Sequence, residues 1–210
     1  MPAQEGPHSR APLQVNERHI LMTSVPSLSR AWRPRDIVVA SVLGVTAGLL
    51  FAVWNIASNP LLEPLGVLLP GVQAIGHGVW LVGGLLTALV VRKPGAALYG
   101  EILAATVSAL IGSQWGVITL LYGAVQGLGA EIVFAVLAYR AWGGVAAALA
   151  GAGSGVAMAL LDLVLFYPAA GLTFQALYAV SSILSGVVIA GLGSYLLAQA
   201  LRRAGALGRS

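Results

Sequence analysis

Six apolar runs follow one another with hardly a break between Asp36 and Ala200, and nothing else in the sequence constrains the fold as strongly. They lie at about 36–56, 73–91, 95–112, 116–139, 142–166 and 174–200. Each reaches, or nearly reaches, the roughly 20 residues that a helix needs to cross the hydrocarbon of a bilayer. Only closed backbone hydrogen bonding is tolerated there, and runs of this length close it as helices. The expected fold is therefore an all-α integral membrane bundle of six transmembrane helices. Charged residues make up 9% of the chain, against about 25% in soluble domains, and mean hydropathy is +0.89.

The basic residues give an orientation. Arg30, Arg33, Arg35, Arg92, Lys93, Arg140, Arg202, Arg203 and Arg209 all flank the runs on one side. The alternate connections, 57–72, 112–116 and 167–173, hold no Lys or Arg. The positive-inside rule then puts both termini in the cytoplasm. The net charge of +4 is thus explained by topology, and nucleic acid is not an expected partner. Residues 1–33 hold scattered prolines and charges and read as a disordered cytoplasmic tail, 34–203 as the membrane domain and 204–210 as a second short tail. No secretory leader pattern precedes the first run.

Three features inside the runs break the apolar pattern. Ala40, Gly44 and Gly48 recur every four residues and make a smooth stripe, which suits either internal packing or the docking of a partner helix. The segment 57–72, ASNPLLEPLGVLLPGV, is apolar yet carries three prolines and Glu63, and is expected to be a broken, partly embedded lid. The stretch from Gly100 to Arg140 is two helices joined by Gly112-Ser113-Gln114-Trp115-Gly116, each with an acid in its apolar run. At 1.5 Å per residue, Glu101 lies about 9 Å and Glu131 about 12 Å from the cytoplasmic side. An intramembrane acid is costly and by default marks function. The alternative is structural, with each acid paired to Arg92, Lys93, Arg140 or backbone groups.

A second group falls in the outer half of the runs. His77, Trp80, Gln114, Trp115, Tyr122, Gln126 and Asp162 are the candidate substrate-binding residues, with Glu131 beneath them and Trp54, Asn55 and Glu63 at the outer rim. Tyr122 and Gln126 share a helix face, whereas Gln126 and Glu131 lie about 140° apart and do not both point at one small ligand from an ideal helix. Phe166, Tyr167, Tyr178 and the serines 181, 182 and 185 extend the polar and aromatic set. Aromatic faces, amides and a few acids suit a flat, polar, cationic heterocycle. An interfacial aromatic belt accounts for the tryptophans equally well.

Engines are missing. There is no phosphate-binding G-x-x-x-x-G-K-[ST] loop, and Lys93 is the sole lysine. There is no cysteine, no H-E-x-x-H, and no histidine after His77 to serve an intramembrane serine protease. No metal site or resident cofactor is expected. A self-contained proton-linked carrier or intramembrane enzyme built on Glu101 and Glu131 remains the alternative to a pure binding protein.

The runs RKPGAALYGEILAATVSALIGSQWG and LLYGAVQGLGAEIVFAVLAYR resemble the YkoE family, substrate-binding S components of energy-coupling factor (ECF) vitamin transporters. The resemblance spans residues 34 to about 203, and GSQWG and QGLGAE are its most specific parts. It implies a bacterial, multi-pass cell-membrane protein without enzymatic activity, which captures thiamin or its hydroxymethylpyrimidine precursor from outside. It further implies a transmembrane coupling subunit docking on Ala40, Gly44 and Gly48, and ATP-binding subunits that hold the nucleotide this chain does not.

Overall fold

The computed structural model describes residues 31–206. The expected N-terminal tail up to residue 30, and the last four residues, lie outside that range. The described residues form six helical rods: α1 Pro34–Leu68, α2 Val72–Val91, α3 Ala96–Gly112, α4 Ile118–Val136, α5 Gly144–Leu165 and α6 Leu172–Arg203. Five are long and apolar enough to span a membrane, and α3, at 17 residues, is a shorter apolar helix. The most enclosed is α2, whose Leu81, Leu85 and Leu89 form the centre of the core. Around it α1 packs on α3, α3 on α4, α4 on α5, and α5 on α6. Long aliphatic side chains such as Val53, Ile56, Leu110 and Val164 point outward, as lipid-facing surfaces require.

The segment 57–72 corrects the expectation of a broken lid. The first helix runs on through Pro60 and Pro64 to Leu68. Each proline withholds one N–H from the ladder, which costs stability but does not end the helix here. At 35 residues α1 is about 52 Å long, well beyond the roughly 30 Å of hydrocarbon. Its last turns are largely exposed, with Leu62 and Gly66 against the start of α2. Gly71, at φ +104°, then reverses the chain, with its N–H held by Gln73 Oε1 at 2.8 Å.

The start of α2 is a ten-residue 3₁₀ stretch, Val72–Leu81, before true α-helix begins. Runs that long are uncommon, because the hydrogen-bond geometry is poorer. Side chains from neighbours support this one. Trp54 Nε1 donates to Gly76 O at 3.2 Å, Gly78 N donates to Ser185 Oγ at 2.7 Å, and Ser185 Oγ donates to Ile75 O. A Cβ on Gly78 would lie 2.4 Å from Ser185 O, so only glycine permits this approach.

The small-residue stripe on α1 is a second correction. Ala40 is fully buried, and Gly44 and Gly48 are buried as well. A Cβ on Gly48 would meet Val107 Cβ at 2.5 Å and Ala104 O at 2.8 Å, and one on Gly44 would meet Leu103 at 2.9 Å. The stripe is occupied by α3 of the same chain and is not open to a coupling subunit. Its residues are small because α3 crosses too closely for anything larger.

Candidate substrate cavity

A cavity of about 560 Å³ opens at the end of the bundle that carries the connections 69–71, 113–117 and 166–171. That volume lies within the usual range for small-molecule sites, about 300–1,000 Å³. All six helices and the 113–117 turn contribute to its wall.

Asp162 is the junction of the polar wall. It stands in the last turn of α5, 6% exposed. Its Oδ1 accepts the Tyr122 hydroxyl of α4 at 2.5 Å and its Oδ2 the Tyr178 hydroxyl of α6 at 2.9 Å. Both phenol protons thus go to one carboxylate, the pattern of an ionised, acceptor-only group. The position of α5 makes this possible. Its glycines let α6 approach until a Cβ on Gly151 would stand 2.1 Å from Gly186 O.

His77 faces the same carboxylate from α2, with Nδ1 3.8 Å from Asp162 Oδ2 and 3.2 Å from Ser182 Oγ. Ser182 donates its one proton to Gly155 O at 3.0 Å. It therefore offers His77 only lone pairs, which assigns a proton to Nδ1. Nε2 then has just the Tyr178 oxygen at 3.4 Å, whose own proton goes to Asp162.

An aromatic and amide wall stands opposite. Trp80 meets Trp115 edge-on at 5.4 Å and lies near Trp54 and His77 at 6.2 and 6.1 Å. Its Nε1 donates to Asn55 Oδ1 at 2.8 Å, and Asn55 Nδ2 donates to Ser108 Oγ at 3.0 Å. Asn55 is thus a buried brace of the wall, not an outer-rim residue. The side-chain amide of Gln126 is buried at the cavity and makes no hydrogen bond among the described residues.

Of the residues singled out from the sequence, His77, Trp80, Trp115, Tyr122, Gln126, Asp162, Asn55 and Glu63 all line the cavity. Gln114 and Trp54 do not. Gln114 lines a smaller neighbouring cleft and bonds Asn59 at 3.3 Å, while Trp54 packs behind Trp80. Glu131 is a correction of a different kind. Its Oε1 accepts Gly95 N at 2.6 Å and Tyr139 Oη–H at 2.8 Å, and its Oε2 accepts Ala97 N at 3.0 Å. It caps the start of α3 at the far end of the bundle, where an acid answers unpaired amides and the helix dipole. Glu101, 1% exposed, accepts Gly84 N at 2.5 Å and lies behind the wall, outside the cavity lining. Lining residues absent from the sequence-derived set include Ser108, Thr119, Gln73 and Met158. Ser108 was detectable only as a polar residue on the α3 face one turn above Ala104.

The comparisons with known proteins agree with this architecture. A family model described as "ABC-type cobalt transport system, permease component" matches residues 35–157. The chain is 33% identical over 179 residues to the "Putative HMP/thiamine permease protein YkoE" of Bacillus subtilis (strain 168), covering 85% of this chain and 88% of that one. It is similar also to a solved structure titled "Crystal structure of an S-component of ECF transporter", at 32% identity and TM-score 0.79, over 84% of this chain and 89% of the other.

Proposed function

The chain belongs to the family of YkoE, membrane S components of ECF transporters, and we propose that its cavity captures thiamin or hydroxymethylpyrimidine from outside the cell. It is a multi-pass membrane transport component and not an enzyme. The observation that carries the ligand reading is the pairing, in one cavity, of ring faces with unspent hydrogen-bonding groups. Trp80, Trp115, Tyr122 and Phe166 offer surfaces for a flat ring, while the Gln126 amide offers its oxygen and its N–H groups to an amino or hydroxyl group. Both termini face the cytoplasm in this reading. The basic residues support it, since Arg33, Arg35, Arg92, Lys93, Arg140, Arg202 and Arg203 all lie at helix ends opposite the cavity mouth. Power then comes from a transmembrane coupling subunit and ATP-binding subunits.

The cobalt wording of the family model raises a metal ion as a second cargo. The donor set argues for the organic one. His77 and Asp162 are the nearest ligating pair at the cavity, and both carboxylate oxygens of Asp162 already take phenol protons. Calorimetry on the purified chain is the test. Thiamin or hydroxymethylpyrimidine is expected to bind one to one, and Gln126→Ala is expected to weaken it about tenfold or more through the lost edge contacts. Accumulation in vesicles is expected only with the ATP-binding partners present. Tight Co²⁺ binding without vitamin binding, or uptake by the lone chain, would refute the reading.

A further inference from the structure

We infer that the cavity sorts ligands by charge, with Asp162 as the residue that sets the preference. A ring bearing a fixed positive charge is favoured over a neutral ring of the same shape, and a phosphorylated ligand is turned away. The inference rests on the vitamin-capture reading above and says which form of the ligand the site accepts.

Among the described residues two acids line the cavity, Asp162 within and Glu63 on the exposed last part of α1, and no Lys or Arg does. The two phenol hydroxyls that hold Asp162 are neutral, so they fix the carboxylate in place without cancelling its charge. Among the described residues the one base within reach is His77, whose Nδ1 lies 3.2 Å from Ser182 Oγ and 3.8 Å from Asp162 Oδ2. The guanidinium groups of the described residues sit at the opposite helix ends, where Arg202 for example bonds Leu89 O at 2.6 Å.

The surroundings complete a cation site. Tyr122 and Phe166 stack at 6.4 Å, and Tyr167 and Tyr178 lie 5.2 Å apart, so aromatic rings surround the carboxylate. Ring faces attract cations, more strongly once both are desolvated. A buried carboxylate with no Lys or Arg beside it is costly, and an incoming cation lowers that cost where a neutral ring does not. A phosphate brings like charge to Asp162 and finds no cationic donor in the lining.

The test compares thiamin with deazathiamin, in which carbon replaces the quaternary ring nitrogen and shape is kept while charge is lost. Calorimetry on the purified full chain would also include hydroxymethylpyrimidine and thiamin monophosphate. Thiamin is expected to bind at least about thirtyfold tighter than deazathiamin, and tighter than the monophosphate. Asp162→Asn is expected to bring thiamin and deazathiamin within about threefold of each other. Tyr122→Phe keeps the carboxylate and is expected to keep the preference, and its loss there would overturn the inference even if the Asp162 variant does not fold. Equal affinities for the matched pair in the wild type would overturn the inference, as would a preference that survives Asp162→Asn. If the wild type binds none of the four compounds, it is the vitamin-capture reading that falls. Binding of neutral forms without thiamin would overturn only the charge rule.

Discussion

At one end of the bundle Asp162 gives its two oxygens to hydroxyls from the neighbouring helices α4 and α6. At the other, Glu131 gives its two to backbone amides at the start of α3 and to Tyr139. Both are acids within apolar helices, and both satisfy their oxygens. The difference is what the partners border. The phenols that bind Asp162 line an open cavity, so the carboxylate borders that space. The amides that bind Glu131 belong to a helix start, so its charge is used in holding the fold. Even the local strain differs. Ala138 and Tyr139 adopt left-handed φ of +52° and +56° close to Glu131, a conformation that costs on the order of 1 kcal/mol or more per residue. The Tyr139 hydroxyl bond to Glu131 helps to offset that cost. An intramembrane carboxylate is thus a site or a strut according to what its partners face.

This contrast can be broken at its strut. Glu131→Ala removes the acceptor for the Gly95 and Ala97 amides and the Tyr139 hydroxyl, and should destabilise the protein by about 3 kcal/mol. Thermal unfolding in detergent measures this. Ligand affinity of the folded fraction should stay within about twofold, because the site is remote. A stable variant with lost binding would return Glu131 to the cavity.

Gly48→Leu tests the α1–α3 crossing. The new side chain would meet Val107 and the Ala104 carbonyl, and backbone cannot yield as a flexible side chain does. A loss of about 2 kcal/mol is expected, with weaker binding as well, since the same helix carries Asn55 and Ser58 to the cavity. Intact stability and binding with uptake abolished would favour a docking face instead. The smallest effect is expected for Asn59→Ala, which removes an exposed 3.3 Å bond to Gln114. It should change stability by less than about 0.5 kcal/mol. A large change in ligand release rate there would show that the last part of α1 is held against the 113–117 turn by that bond.

The number of helices was legible because hydrocarbon length is a strict filter on apolar runs. Span 3, read as 95–112, is Ala96–Gly112 in the structure, bounded by glycines at φ +83° and +121° that no other residue adopts easily. Cavity residues such as Tyr122, Gln126 and Asp162 stood out because a polar group in oil needs a reason. The helix across Pro60 and Pro64 was not legible. Local propensity says that proline breaks a helix, and here helix continuity overrides it. The 3₁₀ start of α2 was hidden too, since its support comes from Trp54 and Ser185, which are distant in sequence.

The sequence by itself determined that this chain crosses a membrane several times, with its basic residues on one side and a few costly polar groups within. Those are consequences of transfer energies, which depend on residue type and run length. Only the tertiary structure decided which of those groups share a cavity and which hold helices together. A carboxylate's role depends on partners that lie tens of residues away, 40 for Asp162 and Tyr122 and 36 for Glu131 and Gly95. The small-residue stripe makes the same point: its spacing predicts close approach, but which helix approaches is a fact of packing.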